Sequence, residues 1–420
     1  MNRDNRSKGS ELNRGRILCV TSNFPRWAGD STTPFVLHLA QDLQKLGWQI
    51  KVLAPHAPGT ASKETLEGIQ IERFRYLWPP ALETICYHGG ALVNLRKNRI
   101  NYFKLPALIA FEYLSLLRRL KSGEYDLLHS HWILPQGFTG VLSVRPFNIP
   151  HIITVHGGDV FALQSNLLTK FKHFTLLHAN AVTVNSSATE EAVTRIAPGL
   201  NELHRIPMGV SAGIAKGSPS ANELRKKYRF GNGPLLIFVG RVVEEKGVED
   251  FLRSVAILLP QFPDISALIV GDGQDRLSME KTTKALGLED RVIFTGWVTQ
   301  NLIPAYLAAS DIFIGPSRKI EAQGLTFIEA MLTKTPVIAT RVGGIVDSVK
   351  HEKTGLLVNE RAPDEIAAAV ERIVREPMLA DRIITLGKKL ADSKFSRESS
   401  ANLFSQLFER MIRLRADKIE

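Results

Sequence analysis

Hydrophobic residues follow two alternating patterns along the chain. Short runs rich in aliphatic residues predict strands, and most of the stretches between them have the spacing of amphipathic helices. The strand-like runs form two series, Arg16–Val20, Gln49–Leu53, Asp126–His129, His151–Val155 and Ala181–Val184, then Leu235–Val239, Ala267–Val270, Val292–Phe294, Ile312–Ile314 and Val337–Ala339. This alternation predicts parallel sheets with helices on both faces, and two series predict two doubly wound α/β domains.

Glycine and proline concentrate between about residues 206 and 233, which predicts the boundary between the two series. A helix, Asn222–Tyr228, is expected to interrupt this region. The predicted organisation is a flexible tail at 1–15, an N-terminal domain at 16–208, a C-terminal domain at 209–392 and a last segment at 393–420. That segment has the periodicity of a helix, carried by Leu403, Leu407, Met411 and Leu414.

Composition and charge narrow the class of protein. The chain has 420 residues and a formal net charge of +11, which favours an anionic partner. The sequence has no zinc-finger spacing and no RNA-recognition signature, so nucleic acid is not the expected partner. Cys19 and Cys86 lie among apolar residues and are expected to be buried free thiols. The longest apolar stretch, Leu105–Leu117, is broken by Glu112, and we expect a cytoplasmic protein.

The second series carries two polar segments at strand ends. Strand Leu235–Val239 leads into Gly240-Arg241 and then Lys246-Gly247, where two cations could clamp a diphosphate. Solvated loop charges are the alternative reading. A helix is expected to begin near Gly324, and its free amides would favour an anion or hydroxyl oxygens. Glu321 precedes this helix and Glu329 lies one to two turns inside it, a spacing that suits the hydroxyls of a sugar and a ribose.

These residues resemble a known family. Glu321 to Glu329, with Gly324-Leu325 between them and Glu-Ala-Met at the end, resembles the signature of the retaining glycosyltransferases of family 4. The resemblance implies the GT-B fold, in which two Rossmann-like domains face each other across a cleft and a C-terminal helix crosses back to the N-terminal domain. It also implies a nucleotide-diphosphate sugar as donor and a saccharide or lipid-linked acceptor, in polysaccharide or glycolipid synthesis.

The resemblance assigns roles in the second half. Glu321 would contact donor sugar hydroxyls, and Glu329 would hold the ribose. Arg241 and Lys246 match the diphosphate clamp. The remaining donor-binding positions are backbone ones, Val298 in the base-binding segment and the amides near Gly324, Leu325 and Thr326.

The first half matches as well. Gly29 lies in the loop after the first strand, where Asp30 replaces a second glycine and weakens the expected backbone contact with the donor. His156, in Val-His-Gly-Gly-Asp, resembles the histidine of the catalytic centre. Asp159 and His131 are expected on the acceptor side, although a structural role for His131 is the stronger reading.

The expected reaction needs no cofactor and no metal ion. Negative charge grows on the leaving diphosphate, and Arg241, Lys246 and helix-start amides could offset it. The sequence has no Asp-x-Asp motif, the usual metal ligand of other glycosyltransferases. Retention of configuration follows from the resemblance only, and front-face attack is the route consistent with it.

Other readings remain open. A GT-B glycan phosphorylase or a nucleotide-sugar epimerase would use a similar fold, while a non-catalytic module or a dinucleotide oxidoreductase fits the motifs less well. Residues 94–104 mix arginine and lysine with Tyr102 and Phe103. Such a segment could contact an anionic membrane surface, and a solvated helix face is an equally good reading.

Overall fold

A computed structural model describes residues 14–417 except 31, 88, 163, 201, 212 and 214–216. The chain forms two compact units. The first contains the chain up to Thr183, residues Val193–His204 and the chain from Ala401 onward, and the second contains Val184–Ala192 and Arg205–Ser400. Most of the predicted tail, residues 1–13, lies outside the described residues, and the first strand begins at Gly15. The domain limits at 208 and 392 stay a prediction.

The first sheet has eight strands in the order β3-β4-β2-β1-β5-β6-β7-β8. Its strands are β1 (Gly15–Val20), β2 (Trp48–Pro55), β3 (Lys63–Leu66), β4 (Ile69–Phe74), β5 (Leu127–His131), β6 (His151–Val155), β7 (Ala181–Val184) and β8 (Leu203–Arg205). β1 pairs in parallel with β2 and β5, and β5 pairs in parallel with β6. β3 runs antiparallel to β4 at the edge, and this short hairpin was not predicted.

Helices connect these strands. They are α1 (Pro34–Lys45), α2 (Ala91–Lys97), α3 (Asn101–Leu120), α4 (Phe138–Val144), α5 (Gly158–Phe161), α6 (Asn166–Leu177) and α7 (Ser187–Ile196). α3 begins five residues before Pro106, which lies inside it.

The second sheet has six strands in the order β11-β10-β9-β12-β13-β14. Its strands are β9 (Leu235–Val239), β10 (Ser266–Val270), β11 (Val292–Gly296), β12 (Ile312–Gly315), β13 (Val337–Thr340) and β14 (Leu356–Val358), all paired in parallel. The helices are α8 (Ala221–Tyr228), α9 (Val248–Leu258), α10 (Arg276–Ala285), α11 (Ile303–Ala309), α12 (Leu325–Leu332), α13 (Ile345–Ser348), α14 (Pro363–Arg375), α15 (Pro377–Lys394) and α16 (Arg397–Ala416). The expectation of two Rossmann-like parallel-sheet units is confirmed.

Burial explains why the strands were easy to recognise. β5, β6 and β10 are buried along their whole length, as expected for parallel strands covered on both faces.

The last helix, α16, was predicted correctly, but the residues of its buried face were predicted correctly only in part. Leu403 and Leu414 are exposed, and the buried face is formed by Phe404, Leu407, Phe408 and Met411.

Both sheets have a switch point in their strand order. In the first sheet it lies between β1 and β5, and in the second between β9 and β12. Loops leave the carboxyl ends of these neighbouring strands in opposite directions, which opens a crevice where ligands of such sheets bind.

Cys19 and Cys86 are free and buried, as predicted. Within the described part of the chain, no helix combines the length and apolar character needed to cross a bilayer.

Candidate active site

The crevice of the second unit brings two predicted site residues into contact. Lys246 follows β9 and Glu321 follows β12, and these strands are neighbours. The Lys246 ammonium forms an ion pair with Glu321 Oε1, and the Ser317 hydroxyl donates to the same oxygen over 2.9 Å. Both charged side chains are partly buried, so the pair is stronger than one on an open surface.

Arg241 precedes Lys246 by five residues, but its side chain has no hydrogen bond or ion pair with Glu321. The residue follows Gly240 at the carboxyl end of β9, and its side chain is exposed. Among the described residues the guanidinium forms no ion pair with a carboxylate. The five donors of this group therefore remain available for an anionic ligand.

The loop that carries Glu321 is held by glycines from neighbouring segments. The amide of Gly344 donates to Glu321 O over 2.8 Å. A Cβ on Gly343 would overlap that same carbonyl, and a Cβ on Gly344 would overlap the carbonyl of Ala322. On the other side, a Cβ on Gly247 would overlap the carbonyl of Pro316. The sequence reasoning missed Gly343 and Gly344, although adjacent glycines after a strand are a signal of close backbone approach.

Two side chains fix the same loop. Arg318, which is nearly buried, donates to both carboxylate oxygens of Asp250 over 2.6 and 2.7 Å. This bidentate pair raises the pKa of Arg318, although burial acts in the opposite direction. The amide of Gln323 exchanges two hydrogen bonds with the backbone of Met208, at 2.9 and 2.8 Å. The position of Glu321 is thus set by the fold before any ligand arrives.

Helix α12 begins where the sequence predicted. Gly324 precedes it with a φ of 73°, in the left-handed region that favours glycine. Leu325 and Thr326 are the first two helical residues, so their amides have no carbonyl within the helix to bind. These amides are available to an oxygen at the carboxyl end of β12.

Glu329 is not part of the ion pair between Lys246 and Glu321. It is more deeply buried and has a different partner, Gln300. Its side chain is nearly buried, and the amide of Gln300 donates to Oε1 over 2.6 Å. Burial raises the pKa of Glu329 to about 8, and the bond from Gln300 opposes this shift. The sequence reasoning did not find Gln300, which lies four residues after Gly296 in the segment that also holds Val298.

Val298 follows β11, whose last residue, Gly296, meets the turn Gly271-Asp272-Gly273 after β10. Its side chain is half-buried against the apolar core. The amide of Gly271 donates to Gly296 O over 2.9 Å, and a Cβ on Gly271 would overlap the carbonyl of Gly240. The glycines of this turn therefore permit close packing of the loops that follow β9 and β11.

The crevice of the first unit contains a pair of histidines. His131 ends β5 and His156 follows β6, and His131 Nδ1 lies 2.9 Å from His156 Nε2. The rings of Phe35 and Trp132 pack on His156 with centroids 5.0 and 4.9 Å away. Burial lowers the pKa of His156 to about 3 and places the pKa of His131 well below its ordinary value. Both imidazoles are therefore neutral at physiological pH.

Asp159 ties the same two strand ends together. Its carboxylate is buried and accepts the amides of Ile133 and Gly157, each over 3.0 Å. Burial raises its pKa although these bonds oppose the shift. Both carboxylate oxygens are used in holding backbone. The predicted acceptor contact of Asp159 stays a prediction.

Gly29 lies in the exposed loop after β1, with a φ of 81°. Asp30 beside it turns back into the loop, where its carboxylate binds Arg26 Nε at 2.8 Å and the Thr32 hydroxyl at 2.9 Å. Burial favours the neutral acid, but the bonds from Arg26 hold the pKa of Asp30 below its usual range. The residue that replaces the expected glycine thus closes the loop through its side chain.

One buried group in the described residues has potential metal-ligating atoms close together. Cys19, His129 and His131 place such atoms within 4.8 Å of one another. His129 Nε2 already bonds to the Thr154 hydroxyl at 2.7 Å, and His131 Nδ1 bonds to His156. Burial raises the pKa of the Cys19 thiol to about 12. We assign this group to hydrogen bonding and packing.

Comparison with known proteins identifies the family. Residues 33–213 match the model described as Glycosyltransferase Family 4, and residues 220–390 match Glycosyl transferases group 1. The 2-deoxystreptamine glucosyltransferase of Streptomyces kanamyceticus is 31% identical over 400 residues, 90% of this chain and 98% of that protein. The chain belongs to the family 4 glycosyltransferases. The GDP-mannose-dependent alpha-(1-6)-phosphatidylinositol monomannoside mannosyltransferase of Mycobacterium tuberculosis is 32% identical over 50% of this chain and 55% of its own length.

Solved structures show that this glycosyltransferase has the GT-B fold. Sucrose-phosphate synthase of Thermosynechococcus elongatus superposes with a TM-score of 0.76 at 23% identity, over 95% of this chain and all of that one. HepE of Anabaena, in complex with UDP and glucose, gives 0.71 at 18% identity, over 94% of this chain and all of that one. The fold class expected from the sequence is confirmed.

Proposed function

We propose that this glycosyltransferase moves a hexosyl group, with retention, from a nucleotide-diphosphate sugar to a saccharide or lipid-linked acceptor. The observation that carries this proposal is the contact between Lys246 and Glu321 at the switch point of the second sheet. A cation, which suits a phosphate, and a carboxylate, which suits hydroxyl donors, thereby lie side by side, and this supports a sugar linked to a diphosphate as the ligand.

Each candidate residue has a proposed role in donor binding. Lys246 and Arg241 bind the diphosphate, and the first amides of α12 bind a phosphate or sugar oxygen. The amide of Gly29 contributes from the first unit. Glu321 accepts hydrogen bonds from sugar hydroxyls, and Glu329 accepts them from the ribose. The backbone near Val298 holds the base.

The proposed reaction exchanges one bond at the anomeric carbon for another. The bond to the leaving phosphate oxygen breaks, and a bond to the acceptor oxygen forms on the same face. The proton of the acceptor hydroxyl moves to the leaving diphosphate. Arg241, Lys246 and the helix amides oppose the charge that grows on that group, so no metal ion is required. His156 belongs to the catalytic centre beside the transferred sugar.

The relatives support the donor and acceptor classes. The mannosyltransferase of Mycobacterium tuberculosis is named for GDP-mannose and for phosphatidylinositol monomannoside, and the HepE structure contains UDP and glucose. A second HepE structure contains UDP-glucose, which, like GDP-mannose, is a hexose linked to a nucleotide diphosphate. Phosphatidylinositol monomannoside, in the name of the mannosyltransferase, is a lipid that carries a sugar, and this supports a saccharide or lipid-linked acceptor.

A thermal-shift panel of UDP-, GDP- and ADP-hexoses tests the proposal. A rise in melting temperature with one nucleotide class would identify the donor, since a ligand that binds only the folded state stabilises it. Stabilisation by none of them would count against a nucleotide-sugar donor. Transfer that is lost in chelator and restored by magnesium would contradict the metal-free route, and an inverted linkage would exclude retention.

An exposed surface of the first unit supports peripheral contact with an anionic membrane. The loop after β4 meets the start of α3, where Lys104 donates to Leu82 O over 3.0 Å. Trp78 is 80% exposed and Phe103 is 86% exposed at this junction. We define the aromatic-basic patch as the exposed apolar residues and the exposed cations beside them, Trp78, Leu82, Ile100, Tyr102, Phe103, Arg96, Lys97 and Arg99. Its chemistry matches a bilayer surface that contains anionic lipid.

A further inference from the structure

We infer that His131 is a positioning residue that fixes the tautomer and ring orientation of His156. This inference rests on the proposed function, because it is that proposal which places His156 in the catalytic centre. It reverses the sequence expectation that His131 is a structural or acceptor-side residue.

The hydrogen bond between the two rings carries the inference. His131 Nδ1 and His156 Nε2 are 2.9 Å apart, and the ring planes are inclined by 16°. Two neutral imidazoles can share such a bond only if one nitrogen carries the proton and the other presents a lone pair. The tautomer of His131 therefore dictates that of His156, and with it whether His156 Nδ1 is a donor or an acceptor.

The surroundings of His131 leave its ring little freedom. The side chain is 1% exposed, and the ring of His129 lies 4.4 Å away between centroids. His129 is itself fixed, since its Nε2 bonds to Thr154 Oγ1 and Thr183 donates to that same hydroxyl over 2.7 Å. Because His129 restricts the ring of His131, the hydrogen bond from His131 can hold the ring of His156 in one orientation.

The backbone of both strand ends has an independent support. Asp159 accepts the amide of Ile133, two residues after His131, and that of Gly157, one residue after His156. Replacement of the His131 side chain should therefore leave the two loops in place. A change in activity can then be attributed to the imidazole pair.

Three variants of the full chain separate positioning from packing. His131→Phe keeps a ring but removes the hydrogen bond, and His131→Asn restores a donor and an acceptor close to the original Nδ1. His151→Asn is the matched control, because His151 is equally buried on β6 and bonds to Ser130 rather than to His156.

The expected result is a fall in kcat for His131→Phe on the order of 10- to 100-fold, with less than about threefold change in KM for the donor. His131→Asn should recover part of this loss, and the His151→Asn control should keep its kcat. Nitrogen-15 NMR of the imidazoles should show a single neutral tautomer of His156 in the wild type and a mixture in His131→Phe.

Two results would overturn the inference. One is an unchanged kcat and an unchanged His156 tautomer in His131→Phe. The other is a fall in kcat in both His131→Phe and the His151→Asn control, in each case in proportion to the fall in melting temperature. The NMR measurement needs no sugar transfer, so it still decides the role of His131 if the wild type transfers no hexose and the proposed function fails.

Discussion

Glu321 has two side-chain partners, and under the proposed function a donor would compete for one of them. Lys246 neutralises its carboxylate, and the Ser317 hydroxyl fixes one oxygen. A bound diphosphate would draw Lys246 away and leave Glu321 charged beside the sugar. Charge, rather than shape, is therefore the property of Glu321 on which turnover should depend.

Glu321→Gln should reduce kcat by roughly 100-fold or more while it changes donor affinity little, because the amide keeps the size but loses the charge. Single-turnover transfer and a donor titration measure the two quantities separately. Glu329→Gln is the comparison, and it should weaken donor binding more than turnover. A Glu321→Gln enzyme with normal turnover would remove this residue from the reaction.

Donor affinity should depend on pH through Glu329. Burial raises its pKa to about 8, and in the proposed complex the ribose hydroxyls would donate to the ionised form. Below pH 8 donor binding must then release a proton, so affinity should rise by up to about tenfold per pH unit and level off above pH 8. Calorimetry at pH 6, 7 and 8.5, in buffers of different ionisation enthalpy, measures both effects. Glu329→Gln should abolish the pH dependence, and a wild type without proton release would refute the assignment.

The loop of residues 316–323 depends on its neighbours for its conformation. Gly344→Ala should displace it, because the added Cβ would overlap the Ala322 carbonyl. The backbone of Gly344 itself has an ordinary φ of −76°, so no strain arises from conformation alone. We expect donor affinity to fall at least about tenfold with a modest loss of melting temperature. Gly213→Ala is the control, since its Cβ would meet only ordinary contacts, and equal donor binding in both variants would argue against this packing.

Helix α3 is joined to the turn after β5 by a buried carboxyl group. Glu112 accepts from Gln136 Nε2 at 2.8 Å and from the Thr139 hydroxyl at 2.6 Å, and burial raises its pKa to about 7. In the folded state this group keeps its proton between pH ~4.5 and ~7, whereas the unfolded chain loses it. Stability should therefore fall as pH rises through that window and change no further above it.

Glu112→Gln should remove this pH dependence and raise the melting temperature at pH 8. The new amide can donate to Gln136 Oε1, a buried oxygen that has no other partner among the described residues. Thermal melts at pH 5 and pH 8 make the comparison. A variant less stable than the wild type at pH 8 would show that the carboxylate is preferred.

At the scale of the whole molecule, a net charge of +11 and the aromatic-basic patch act together. The protein should float with vesicles that contain anionic lipid at low salt and dissociate as salt rises. Phe103→Ser combined with Trp78→Ser should weaken this binding at constant charge. The control is Leu277→Ser combined with Met378→Ser, which removes two exposed apolar side chains of the second unit at the same net charge. Absence of flotation at low salt would remove the membrane from the proposal.

The sequence predicted the two sheets well because their buried parallel strands are continuous apolar runs. It missed the edge strand β3, which has one buried residue, and β4, whose buried Ile69, Ile71 and Phe74 are separated by polar residues. It singled out Lys246, Glu321, His131 and His156 but not the contacts between them. Such contacts need side-chain directions that join residues up to 75 positions apart. Only the adjacency of neighbouring strand ends could have indicated them.

The loop around Glu321 also limits how this enzyme could acquire a new donor. Its backbone is enclosed by Gly247, Gly343 and Gly344 and anchored through Arg318 and Gln323. Insertions or deletions there would disturb several contacts at once. Lys319 and Ile320 have exposed side chains, and the ion pair of Lys319 with Glu245 lies at the surface. Directed evolution for a different sugar should therefore succeed through exchanges at these outward positions and fail through changes in loop length.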